Sequence, residues 1–564
     1  VWLCSGQSNM EMQVEGWGHV KNWEQEKAEA ENYPNIRFLL VKHVTNSQPQ
    51  TVQEVENGGW EVCNSQSVAN FSACGYFFGR DIHKYRNVPV GLIDASWGGT
   101  FVEPWTSAEA LATVPGEEAN LARAASVPSD PALREADYQQ KYNEWVKAVN
   151  NIDLGYNGDT PVWALASTDD SSWKGVVCPG YVDDQQNELK AFDGFFWLRR
   201  TVEIPKEWAG KDLAVCLGCI DDNDITFFNG VEIGQTLGCG IERNYTIPGK
   251  LVKAGKSVIA VRVHDTGGLA GIWNVGDDKL VISPKGGKST ISLAGEWKYN
   301  ISVNSGKAPL MPVNISNDPN EHTVLYNAMI HPFIPFTIKG AIWYQGENNA
   351  GQAYQYRELM PLMIRDWRKQ WGYDFPFYQV QLANFMGRNT EPEESAWAEL
   401  REAQLFTRQH LEKVGMATII DIGEANDIHP KNKQEVGRRL ALAARATAYG
   451  EKIVFEGPMY RDYKTVGNTI HIRFARNTAK GLTSSDGGKL KGFAIAGLDR
   501  KWHWADARIE HGVVIVSSPE VAFPVAVRYA WANNPECNLV NGEGLPASPF
   551  RTDDWPGVTF GNKR

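Results

Sequence analysis

Apolar and polar positions divide the chain into stretches of different period. Val1–Cys4 predicts a strand that runs into the polar turn Gly6-Gln7-Ser8-Asn9-Met10. Ile36–Val44 predicts a second strand, and in Ala73–Tyr85 aromatic and apolar residues recur at helical spacing. Val88–Ala95 reads as a buried strand leading into Ser96-Trp97-Gly98-Gly99-Thr100, and Arg134–Ile152 as an exposed, charged helix. This βαβ rhythm implies a parallel sheet with helices on both faces.

Between about residues 155 and 305 the helical period disappears. Short β-rich runs take over: Phe195–Glu203, Leu213–Ile220, Asp224–Phe228, Lys256–His264 and Lys279–Ile282. Asn229-Gly230 marks a hairpin turn between two of them. Such spacing predicts a β-sandwich. The βα pattern then resumes. Strands are expected at Ile338–Tyr344, Phe375–Leu382 and Ala417–Ile422, and helices at Glu399–Leu411 and Lys433–Tyr449, the latter stopped by Gly450. Further strands are expected at Thr469–Phe474, Lys491–Ala496, Val513–Ser517 and Val525–Trp531. The expected organisation is an α/β core in two parts, residues 1–154 and 306–450. A β-sandwich insert at 155–305 interrupts it, and a C-terminal β domain at 451–564 follows.

The length of 564 residues agrees with several domains. No apolar run reaches the length of about 18 residues that a membrane span needs. A net charge of −11 argues against nucleic acid or anionic lipid as the main partner, and leaves a sugar-like ligand open. The 21 tryptophans fit large cores, and some of their faces suit stacking on sugar rings. Cys216 and Cys219 form a lone Cys-x-x-Cys without a second pair at zinc-ribbon spacing, so no metal is expected. Disulfides among the eight cysteines remain open. No signal peptide is visible, and because Val1 already lies in a strand-like run, residues upstream of it are expected.

Four polar segments follow expected strands: Gly6–Met10, Ser96–Thr100, Gln345–Asn349 and Gly423–Pro430. Ligands on open parallel sheets bind at the carboxyl ends of strands, so these segments are expected to converge. Ser8 reads either as a helix cap or as a nucleophile. The second glycine of a Gly-x-Ser-x-Gly elbow is missing. His429, in Asn426-Asp427-Ile428-His429-Pro430, is the candidate base, because a serine hydroxyl needs an imidazole to take its proton. Gly98 and Gly99 allow close approach of a backbone N–H to a ligand, or simply form a tight turn. Gln345 either donates to an oxyanion or braces loops as a buried amide. Glu347 is read as a supporting carboxylate.

With these residues in place, the chain resembles the SGNH-hydrolase superfamily, and within it the bacterial sialate O-acetylesterase family. The resemblance rests on Gly6–Met10, Gly91–Thr100, Trp343-Tyr-Gln-Gly-Glu347, Leu400-Arg-Glu-Ala-Gln404, Asp427–Lys433 and Gly542–Trp555. It implies a flavodoxin-like three-layer α/β core and a jelly-roll insert similar to the sugar-binding domain of family 2 glycosidases, notably around Asp221–Gly230. It also implies a cofactor-independent esterase that removes acetyl groups from sugars, in the periplasm or outside the cell. Carried over by motif, Ser8 is the nucleophile and His429 the base. The oxyanion hole is formed by the N–H of Ser8, by Gly98 with Gly99 as runner-up, and by Gln345. The superfamily places an aspartate three residues before the histidine; here that position is Asn426. Asp427, two before, is therefore the expected partner of the histidine, with Glu424, Asp421, Glu347 or a backbone carbonyl as alternatives. A polysaccharide (xylan) acetylesterase would use the same residues. A non-catalytic sugar-binding protein, and a glycosidase suggested by the insert alone, are the readings from other classes.

Overall fold

The computed structural model describes residues 1–189, 192–273, 276, 279–312, 314 and 318–564. Contacts divide the chain into two compact units, Val1–Arg134 with Ile315–Arg564, and Glu135–Asn314.

The first unit is built on a seven-stranded sheet. Its strands are β1 (Trp2–Gly6), β2 (Ile36–Leu40), β3 (Glu61–Val62), β4 (Val90–Ser96), β5 (Gly340–Tyr344), β6 (Phe377–Gln381) and β7 (Val414–Thr418). They lie in the order β7-β6-β5-β1-β4-β2-β3. Only the β2–β3 pair is antiparallel. From β2 to β7 the parallel strands lie in the order 2-3-1-4-5-6, and the connections change direction at β1/β5, as in a doubly wound sheet. Every residue of β1, β5, β6 and β7 is buried, as expected of parallel strands covered on both faces.

Five helices matter for the site: α1 (Ser8–Glu11), α2 (Ala73–Arg86), α3 (Ala353–Trp371), α4 (Ala396–His410) and α5 (Lys433–Thr447). Side chains alternate across a strand. Trp2 therefore points to one face, where it meets Phe78 of α2 edge-on at 5.0 Å. Trp343, opposite Ser5 in register, points to the other and meets Trp367 of α3 at 5.8 Å. The sequence reading missed α3, which has Pro361 in its interior, normally a helix breaker. Its buried Tyr356, Leu359, Met360, Met363, Ile364 and Trp367 nonetheless keep helical spacing. The strand expected at 417–422 instead ends at Thr418, and Ile420 turns into the apolar core of the C-terminal β region.

That region belongs to the first unit. Two four-stranded antiparallel sheets surround Ile470, Ile472, Phe493, Ile495, Val514 and Val527. Arg401 of α4, fully buried, ties it to the parallel sheet. Its guanidinium donates to the carbonyls of Leu382 (2.8 Å), Ala383 (2.7 Å), Ala532 (2.7 Å) and Asn533 (2.8 Å).

Among the described residues the second unit holds two six-stranded antiparallel sheets. Gly194–Ile204 and Gly255–Asp265 of one sheet and Leu213–Asp221 and Val281–Pro284 of the other contribute to one apolar core. Asn229 and Gly230, both at positive φ (50° and 84°), make the hairpin turn expected there. The helix Pro131–Asn150 enters this unit from Glu135, twenty residues before the boundary expected at 155. Its Trp145 and Val149 bury against Phe195 and Val303. Among the described residues no disulfide joins any of the cysteines whose pairing the sequence left open.

Candidate active site

β1 ends at Gly6, where φ is +142°. A Cβ there would lie 2.1 Å from the Tyr344 carbonyl oxygen, so only glycine lets the chain leave the sheet at this point. Gln7 follows as the N-cap residue of α1, and its backbone N–H donates to Tyr344 O at 2.9 Å. Ser8 therefore does not cap the helix. It is the first helical residue, whose N–H has no acceptor within a helix. Its Oγ lies 2.8 Å from Nε2 of His429, 421 residues away.

His429 sits in the segment before α5. Asp427 Oδ1 accepts the His429 backbone N–H at 2.9 Å and lies 3.6 Å from the ring Nδ1. The other carboxylates considered for this place are engaged elsewhere. Glu424 accepts the Lys431 N–H at 2.9 Å, Asp421 forms a two-pronged pair with Arg439 (2.6 and 2.7 Å), and Asn426 is exposed. Burial, and then the Lys433 cation, lower the His429 pKa from its ordinary value, while Asp427 opposes them. Trp17, 54% exposed, stands edge-on to the imidazole at 4.7 Å.

A buried polar chain behind the pair was not visible in the sequence. Asn9 Nδ2 donates to Glu347 Oε1 (2.6 Å) and to the Ile428 carbonyl (2.9 Å). Lys433 Nζ donates to Asn9 Oδ1 and to Pro430 O, both at 2.7 Å. Asn9 and Lys433 thus clamp the residues on either side of His429. Burial pushes the Lys433 ammonium down to about 8 and the Glu347 carboxyl up. Glu347 braces Asn9 and does not orient His429. Lys433 left one local sign: a lysine in the first turn of a helix opposes the helix dipole.

The corner after β4 lies against the serine. A Cβ on Gly98 would be 3.1 Å from Ser8 Cβ. The Gly98 N–H donates to Glu11 Oε2. Gly99, at φ +70°, has its carbonyl held by the side-chain amides of Asn320 (3.0 Å) and Asn348. Gln345 is the third residue expected to donate to an oxyanion. It is fully buried, and its Nε2 donates to Thr100 O (3.1 Å) and Asn349 Oδ1 (2.7 Å), while Oε1 accepts from Tyr356 (2.8 Å). Both amide hydrogens are committed, which makes Gln345 the brace between the β4 and β5 loops.

Among the described residues, the group with metal-ligand spacing is Asp221, Asp222 and Cys239 in the second unit. Asp221 is pushed up to about 6, chiefly by burial and then by its hydrogen bond with Asp222.

Residues 1–127 and 314–446, which carry Ser8, Gly98, Gln345, Glu347, Asp427 and His429, match the family described as carbohydrate esterase, sialic acid-specific acetylesterase. The chain is similar to this esterase family over those two segments. Similar curated proteins include the sialate O-acetylesterase of Mus musculus, 32% identical over 259 residues (41% of this chain, 47% of the relative). That of Homo sapiens is 31% identical over 279 residues (44% and 52%). The chain thus spans about half the length of the curated relatives it matches. A solved carbohydrate acetylesterase from Xanthomonas citri is similar over 98% of this chain and 80% of its own, with 28% identity and a TM-score of 0.58.

Proposed function

We propose that the protein is a serine carbohydrate esterase of the SGNH type that removes O-acetyl groups from sialic acids through an acetyl-enzyme. The observation that carries this reading is the 2.8 Å contact of Ser8 Oγ with His429 Nε2 at the carboxyl end of β1, beside the Gly98 N–H.

Ser8 attacks the acetyl carbonyl while His429 takes its proton. Asp427 fixes the imidazole and stabilises the imidazolium that forms. The developing oxyanion takes the place of Glu11 on the Gly98 N–H and also meets the Ser8 N–H. His429 returns the proton to the departing sugar oxygen. A water then repeats the cycle on the acetyl-serine and releases acetate. A depressed His429 pKa keeps the base neutral at mildly acidic pH. In the same reading the insert is a jelly-roll similar to a sugar-binding domain, and the protein works in the periplasm or outside the cell.

Release of acetate from 9-O-acetyl sialic acid and hydrolysis of p-nitrophenyl acetate test the proposal. Ser8→Ala is expected to abolish both while the protein keeps its fold. A drop below about tenfold removes Ser8 from its role.

A further inference from the structure

Beside the oxyanion corner a cleft of about 490 Å³ opens in the first unit. That is the size range of small-molecule sites. His43, Thr45, Asn46, Gln50, Trp97 and Arg134 line it. Trp97 is bonded to Gly98 and donates its own N–H to Gly6 O at 3.0 Å, so the cleft wall is continuous with the Ser8 turn. The His43 ring stacks on Trp97 at 4.3 Å with 9° between the planes, and its Nε2 donates to Ser96 O at 3.0 Å. This forms a flat aromatic platform of the kind that packs on a sugar ring.

Arg134 is only 5% exposed. Its Nη1 donates to Thr45 Oγ1 (3.1 Å) and Thr45 O (3.4 Å). Its Nε is buried without a hydrogen-bond partner among the described residues, and the guanidinium forms no ion pair there. Asp130, one turn back, acts on it only through space. Glu54 is exposed at the cleft rim. A buried guanidinium is normally paired with an anion, and its planar fork matches a carboxylate.

We infer that this cleft is the sugar subsite and that Arg134 is its anchor for a monosaccharide carboxylate. The inference rests on the esterase reading above and adds a specificity residue to it. Two sugar classes carry such a group, sialic acids and hexuronic acids. The test therefore compares kcat/KM, read as acetate release, for the O-acetylated free acid and its carboxamide in each class. Wild type is expected to prefer the free acid of one class by about 10- to 100-fold, the range of a charge-assisted, two-pronged contact. Arg134→Met is expected to bring that ratio close to one, chiefly through KM. Arg134→Lys, which keeps the charge and loses the fork, is expected to fall between. The pair whose ratio collapses identifies the sugar. Wild type treating acid and carboxamide alike in both classes overturns the inference without need of a variant. So does an Arg134→Met protein that keeps the wild-type ratio. Failure of wild type to cleave p-nitrophenyl acetate defeats the esterase reading instead.

Discussion

Asp427→Asn probes the pairing on which the proposed base depends. The carboxamide keeps an oxygen able to accept the His429 backbone N–H, now at 2.9 Å, so the loop stays in place. What is lost is the charge 3.6 Å from Nδ1 when the imidazole becomes imidazolium. At that distance a full pair is worth about 1.2 kcal/mol in a water-like medium and about 4.6 kcal/mol at an effective dielectric of 20. The side chains are 24% and 38% exposed, which places the loss in the lower half of that interval, at about 1.5–3 kcal/mol. The corresponding fall in kcat is roughly 10- to 150-fold. Steady-state hydrolysis of p-nitrophenyl acetate measures it, with Glu424→Gln as the control that touches only the Lys431 N–H. The acid limb of kcat/KM should also move to lower pH, since Asp427 is the group that raises the His429 pKa. A loss under threefold, or a larger loss for Glu424→Gln, refutes the reasoning.

The wild-type pH profile should lose activity only below about 6.5, the ordinary imidazole value, because burial and Lys433 lower the His429 pKa and the base works when neutral. An acid limb above that value contradicts it. Gln345→Met should lower kcat less than tenfold while reducing stability in urea, as fits a brace; a fall of about 100-fold or more would restore it as an oxyanion donor. Arg401→Met takes the side-chain donor from the buried Leu382 and Ala532 carbonyls and should lower unfolding stability by about 3–5 kcal/mol, measured by chemical denaturation; a change under about 1 kcal/mol rejects its role as the tie to the C-terminal β region. Asn9→Ala should lower kcat with little change in KM, since it releases the Ile428 carbonyl and the Lys433 ammonium from around His429; an equal change in both constants argues against a positioning role.

The parts of the site legible in the sequence share a local signature. β1 is an apolar run ending at Gly6 and β4 one ending at Ser96, two residues before Gly98, and the polar residues just beyond them mark where the chain leaves a parallel sheet. This located Ser8 and Gly98, and the short segment before α5 located His429. What stayed hidden was made by contacts between distant segments. Asn9 joins Glu347 and Ile428 across 338 and 419 residues. Gln345 has its hydrogens taken by Thr100 and Asn349, and Glu11 rests on the Gly98 N–H. No residue type or spacing encodes which of several donors is already engaged. α3 escaped for another reason: Pro361 is a local signal against helix, and packing of Trp367 on Trp343 outweighs it. Arg134 looked like one charge among many on an exposed helix, and only the fold shows it buried behind Thr45.

The central claim is that Ser8 is the residue that becomes acylated. Reaction of the intact protein with a fluorophosphonate, followed by peptide mapping in a mass spectrometer, addresses it directly. The account predicts one adduct per chain, on the peptide containing Gly6–Met10, and none after Ser8→Ala or His429→Ala. An adduct on another serine, or full esterase activity in a protein that Ser8→Ala leaves labelled, contradicts it.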